Sequence, residues 1–167
     1  MDAVRLIRAS RRALAESQDA AAITREAWQA QALAQTMGNR LAMEGPPELR
    51  GEAIGLSEAG GRGCSGSAIP VIGAGGIRAA QLTELPDVHK ALIGLAALLG
   101  EVGIALVGIA SEAEEEGDYW HCMDAIDAAD ESRDRVLEII RRLALRRETL
   151  SESEADSEPH SEPDSAA

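Results

Sequence analysis

The stretch ALIGLAALLGEVGIALVGIA, residues 91–110, decides the fold. It is twenty residues long and carries a single charge, Glu101, near its centre. That is about the length a helix needs to cross a bilayer. At about 100° per residue, Asp87, Lys90, Gly94, Ala97, Glu101, Ala105, Gly108, Glu112 and Glu115 fall on one narrow polar and small-residue stripe. Leu92, Leu95, Leu99, Val102, Leu106 and Ile109 lie on the other side. This is an amphipathic helix with a wide apolar arc, suited to the centre of a bundle. Lipid is a poor solvent for it, because a central acid costs about 2.5–3.5 kcal/mol on insertion scales. No aromatic belt brackets the run, and its C-terminal flank reads SEAEEEGD. The expectation is a soluble bundle helix and no membrane span.

The rest of the chain supports an all-α reading. There are only three aromatic residues, Trp28, Tyr119 and Trp120. Strands favour aromatic and β-branched residues, whereas here Ala, Gly and Leu fill the apolar quota. Residues 2–16 read as a first helix capped by Asp2, with Val4, Ile7 and Leu14 on one face. Residues 20–43 read as a second, because Ile23, Ala27, Ala30, Ala34, Met37 and Leu41 repeat at alternating three- and four-residue spacing. Pro46-Pro47 ends it, and Pro47 suits the first turn of a third helix, since proline is tolerated there. Gly60–Gly76, GGRGCSGSAIPVIGAGG, reads as a long loop, followed by a short helix near Ile77–Leu82. Pro86-Asp87 opens the apolar helix. Glu116-Gly117-Asp118 reads as a turn before a last helix reaching Arg147, with one continuous helix as the alternative. The predicted architecture is a helical bundle of four main helices plus one or two short helices, over residues 1–147.

Charge divides the chain. The net charge is −13 over 167 residues. Seven acids and no bases lie from Glu148 onward, which leaves 22 acids against 16 bases elsewhere. The segment 148–167, rich in Ser, Glu and Pro, cannot bury enough apolar surface to offset its ordering entropy and is expected to be disordered. An acidic body argues against nucleic acid, whose backbone requires a concentrated basic surface. The arginine-rich ends of the first and last helices have two readings. One is ordinary surface charge; the other is a patch for an acidic partner or for the chain's own tail. The N-terminal residues lack the apolar core of a signal peptide, and the two cysteines form no framework, so a cytoplasmic setting is expected.

Motifs for chemistry are weak. Val71–Ala80, VIGAGGIRAA, is superficially similar to a dinucleotide-binding glycine loop. That loop requires a preceding strand and a βαβ unit, which Pro70 and the helical surroundings do not supply. Asp118, His121 and Asp124 form half of a carboxylate-bundle metal motif, a weak candidate site. No nucleophile elbow is present, and neither a cofactor nor an enzymatic activity is expected. Arg133 falls within the apolar arc drawn for the last helix by Cys122, Ile126, Ala129, Val136, Leu137 and Ile140. An unpaired charge inside such an arc is costly. If the chain turns at Gly117, Glu101 and Arg133 are equidistant from the turn, which predicts a Glu101–Arg133 pair across the hairpin.

Five segments carry a resemblance: MDAVRLI, EAWQAQALAQ, ELRGEAIGLSEAGGRGC, LLGEVGIALVG and YWHCMDAIDAADESRDRV. Together they resemble a family of small uncharacterised helical proteins of high-GC actinomycetes, a domain of unknown function, over most of residues 1–145. The resemblance implies a cytoplasmic helical protein with an accessory role and brings no catalytic or binding residue. Two functional expectations follow. One is a non-enzymatic interaction or regulatory protein that binds a protein partner or self-associates. The alternative is a helical sensor or carrier of a small molecule or metal.

Overall fold

The computed structural model describes residues 1–65 and 76–157. Five α-helices make up the architecture: α1 (Ala3–Glu16), α2 (Ala20–Glu44), α3 (Arg50–Ser65), α4 (Val88–Glu112) and α5 (Glu116–Asp156). Two short 3₁₀ turns, Pro47–Leu49 and Arg78–Gln81, join them, and no strand occurs among the described residues. The all-α bundle predicted from the sequence is present.

Local signals set the helix starts. The carboxylates of Asp2, Asp19 and Asp87 accept the backbone N–H groups of Arg5, Ala22 and Lys90. Each satisfies a donor that a helix N-terminus leaves orphaned. Pro47 begins the turn that leads into α3. In α2 the seam residues Ala27, Ala30, Ala34, Met37 and Leu41 are buried.

The helices form two antiparallel hairpins, α2 with α3 and α4 with α5, and α1 packs on α4. α4 is long and apolar enough to cross a bilayer by length and composition. Within the bundle, Leu92, Leu95, Leu98, Leu99, Val102 and Leu106 are buried. They form one core with Leu6 and Ile7 of α1, Leu33 and Met37 of α2, Leu56 of α3, and Val136 and Ile139 of α5.

Three predicted boundaries are corrected. The first is the loop expected from Gly60, because α3 continues through GGRGCS to Ser65. Glycine is a poor helix former, but here its missing side chain lets α2 and α3 touch by backbone. A Cβ on Gly60 would lie 2.6 Å from the Gln35 nitrogen, and one on Gly38 would lie 2.6 Å from the Ser57 nitrogen. Trp28 Nε1 donates to the Cys64 carbonyl at 3.2 Å, clasping the end of α3 to α2. The rest of the expected loop, residues 66–75, lies outside the described residues, as does the first half of VIGAGGIRAA.

The second correction is the turn between α4 and α5. It is Ala113–Glu115, with Ala113 extended, and Gly117 sits in the first turn of α5. Glu116 and Asp118 occupy that first turn, where the helix dipole favours acids. The third concerns the C-terminal segment. α5 does not end at Arg147 but runs to Asp156, so the expected disorder does not begin at Glu148. Residues 158–167 lie outside the described residues.

Candidate functional site

The polar stripe of α4 faces α1. Gly94 lets Ile7 approach, with Ile7 Cγ2 3.1 Å from where a Cβ would stand. About two turns further on, Glu101 meets Arg11. Arg11 Nε donates to both carboxylate oxygens at 3.1 Å, and its Nη2 donates to Oε1 at 2.5 Å. The hydrogen bond to Glu101 raises the Arg11 pKa above its ordinary value. Both side chains are nearly half exposed, so the pair contributes at most about 1 kcal/mol.

The predicted Glu101–Arg133 pair is therefore corrected. The buried face of α5 is Cys122, Ala129, Ser132, Val136 and Ile139, and this centring leaves Arg133 exposed. Its Nε lies 3.4 Å from where a Gly100 Cβ would be, and it makes no ion pair among the described residues. Arg11 was the residue to find. It lies seven positions after Val4, four after Ile7 and three before Leu14, inside the apolar stripe of α1.

The weak metal candidates Asp118, His121 and Asp124 are exposed along the first turns of α5. Among the described residues, no group of three or more His, Cys, Asp or Glu side chains is placed to hold an ion. His121 instead borders a cavity of about 80 Å³ between α2, α3, α4 and α5, lined by Trp28, Gln31, Val102, Leu106 and Cys122 among others. Burial pushes the Cys122 thiol up, and the nearby Asp118 charge adds to this. Burial raises Cys64 to about 11. Neither thiol is activated as a nucleophile, since the thiolate is the reactive form.

One buried polar contact crosses the bundle beside this cavity. Ser132 Oγ donates to Gln31 Oε1 at 2.7 Å, while Gln31 Nε2 is sealed from solvent with no partner among the described residues. Gly63 makes room for that amide, because a Cβ there would stand 2.5 Å from Gln31 Cδ. Gln29 holds the returning chain, donating to the Gly76 carbonyl and accepting from the Arg78 nitrogen, both at 2.9 Å. Arg78 also pairs with Glu26 and donates to Ser10 Oγ at 3.2 Å. Its partial burial lowers its pKa.

The outer side of α4 is different in kind. Ile104 is 76% exposed, Val107 54% and Ile93 49%. These three, with Gly100 and Gly108, occupy the arc between the α1 contact at Glu101 and the α5 contact at Gly103, where Asp130 Oδ1 stands 3.8 Å from a Gly103 Cβ. Trp120, 56% exposed, follows on the first turns of α5. On the other flank, Val4, Ile7, Arg8, Arg11, Arg12, Lys90, Ile93 and Gly94 line a shallow groove of about 490 Å³ between α1 and α4. The apolar arc meets the basic groove at Ile93.

Among curated proteins and solved structures, nothing matches the chain. A family profile matches residues 1–142. With most of the bundle inside that match, the chain belongs to DUF6099, a family of unknown function.

Proposed function

We propose that this is a non-enzymatic interaction protein of the cytoplasm and that its contact surface is the outer face of α4. One observation carries the reading: Ile104, in the middle of the most apolar helix, is 76% exposed with Val107 and Ile93 along the same face. Scattered exposed apolar residues are ordinary, but a continuous apolar face on a helix marks a contact site. Helical faces of this kind are read by other helices through anchors at three- and four-residue spacing.

The test is site-specific photo-crosslinking in cells, with the photoreactive residue at position 104 and a control at exposed Glu58. The expected result is a covalent product from position 104, either with a second copy or with another protein, and none from position 58. Recovery of uncrosslinked monomer alone from both positions would overturn the reading.

A further inference from the structure

We infer that the chain also self-associates, by laying the acidic end of α5 from one copy into the arginine groove between α1 and α4 of a second copy. This contact is separate from the outer face of α4 and stands on different observations.

The first observation is the groove itself. Arg8, Arg12 and Lys90 line it beside Arg11. Among the described residues only Arg11 of these four has an acidic partner, Glu101. The groove therefore concentrates unpaired positive charge in a chain whose net charge is −13. Its floor is apolar, formed by Val4, Ile7 and Ile93. A ligand that fits must be anionic and carry some apolar surface.

The second observation is the end of α5. Contacts of Gly100 with Arg133 and of Gly103 with Asp130 fix the register of the α4–α5 hairpin. That register places the start of α4, Val88, level with about residue 145. The eleven residues Arg146–Asp156 of α5 thus project past α4 by roughly 16 Å at 1.5 Å per residue. Every residue from 144 to 157 is exposed. Leu145, Glu148, Glu152 and Asp156 share one helical face, at three- and four-residue spacing. None of these acids has an ion pair among the described residues, and the last turn of α5 holds no base. Acids there oppose the helix dipole, which favours cations at a C-terminus. The projection begins with Arg146 and Arg147, but beyond them it carries four acids and no base, and these acids have no ion pair among the described residues.

Topology excludes the contact within one molecule and favours it between two. α5 is continuous to Asp156, so its end cannot fold back onto α1. Lys90, Ile93 and Gly94 lie in the first turns of α4, at the same end of the bundle from which α5 projects. A two-fold axis at that end lays each extension over the other copy's groove. Both contacts then form together, as an isologous dimer requires.

The test is a charge exchange in the full-length chain. One variant carries Arg8→Glu with Arg12→Glu, and the other carries Glu148→Lys with Glu152→Lys. All four positions are exposed, and retained helicity by circular dichroism checks folding. The wild type is expected to sediment as a dimer at low salt and to dissociate as salt rises. Each variant alone should self-associate roughly tenfold or more weakly. An equimolar mixture should form a heterodimer, because each extension then meets a groove of opposite charge. A wild type that stays monomeric at low salt would overturn the inference, as would binding to anionic vesicles without self-association, or a mixture no more associated than its components. Ile104→Glu should leave this dimer intact while removing the contact proposed on the outer face of α4, so the two readings fail separately.

Discussion

The two hairpins of this bundle use glycine in opposite ways. Between α2 and α3, Gly38 and Gly60 point inward, and the backbones meet there. A Cβ at Gly38, Gly60 or Gly63 would fall within 2.6 Å of an atom of the facing helix. Between α4 and α5 the contact is made by large side chains such as Leu99, Val102 and Val136, and the glycines of α4 point toward its edges. At Gly108 a Cβ would meet nothing within 4 Å. Glycine is thus a packing requirement at Gly38 and Gly60 and structurally free at Gly108. Composition alone does not separate the two cases; the distance to the neighbouring backbone does.

Substitutions can break or sharpen that contrast. The largest effect belongs to the side-chain hairpin: Leu99→Ala should cost about 2–5 kcal/mol of unfolding free energy in chemical denaturation, since Leu99 is fully buried. Gly60→Ala should cost roughly 1–3 kcal/mol, because its new methyl has only the backbone of α2 to push against. Gly108→Ala should reverse the sign and gain roughly 0.5–1 kcal/mol from helix propensity alone. If both glycine variants shift stability in the same direction, the contrast between the hairpins is wrong.

The smallest effect is electrostatic. Hydrogen bonds from Arg141 and Arg142 hold the Glu138 carboxyl down at about 2. A depressed acid contributes stability that is present above its ordinary value of 4.5 and is lost as pH falls toward 2. Glu138→Gln should therefore flatten a small part of the acid limb of the stability–pH curve and leave the shape of the curve above pH 4.5 as in the wild type. A steeper acid limb in the variant would contradict the assignment.

The parts of this fold legible in the sequence are those set by near neighbours. Asp2, Asp19 and Asp87 cap helices from three residues away, Pro47 marks a start, and the Ala27–Leu41 seam shows its period directly. What stayed hidden depends on contacts distant in sequence. GGRGCS looks like a loop until Gln31 and Gln35 of α2 are seen to fill the space that its glycines leave. Glu101 has a charge partner, but facing distance from Gly117 pointed to Arg133, whereas the period of α1 already placed Arg11 on an apolar face. Gln31 and Ser132 likewise sit on the buried faces of their helices at helical spacing. The period marks each as a polar group in the core and does not say that they meet. The continuation of α5 through SESEAD was masked by composition, since serine and acid runs read as coil even where they extend an established helix.

The central claim is that the outer face of α4 serves contact and not folding. It is tested most directly by the crosslinking yield from a photoreactive residue at position 107 in cells, compared between the otherwise wild-type chain and the same chain carrying Ile104→Glu. The account predicts a product from the first and its loss in the second, with unfolding free energy unchanged to within about 0.5 kcal/mol, as for an ordinary surface substitution. An equal yield from both chains, or a destabilisation as large as that of Leu99→Ala, would contradict it.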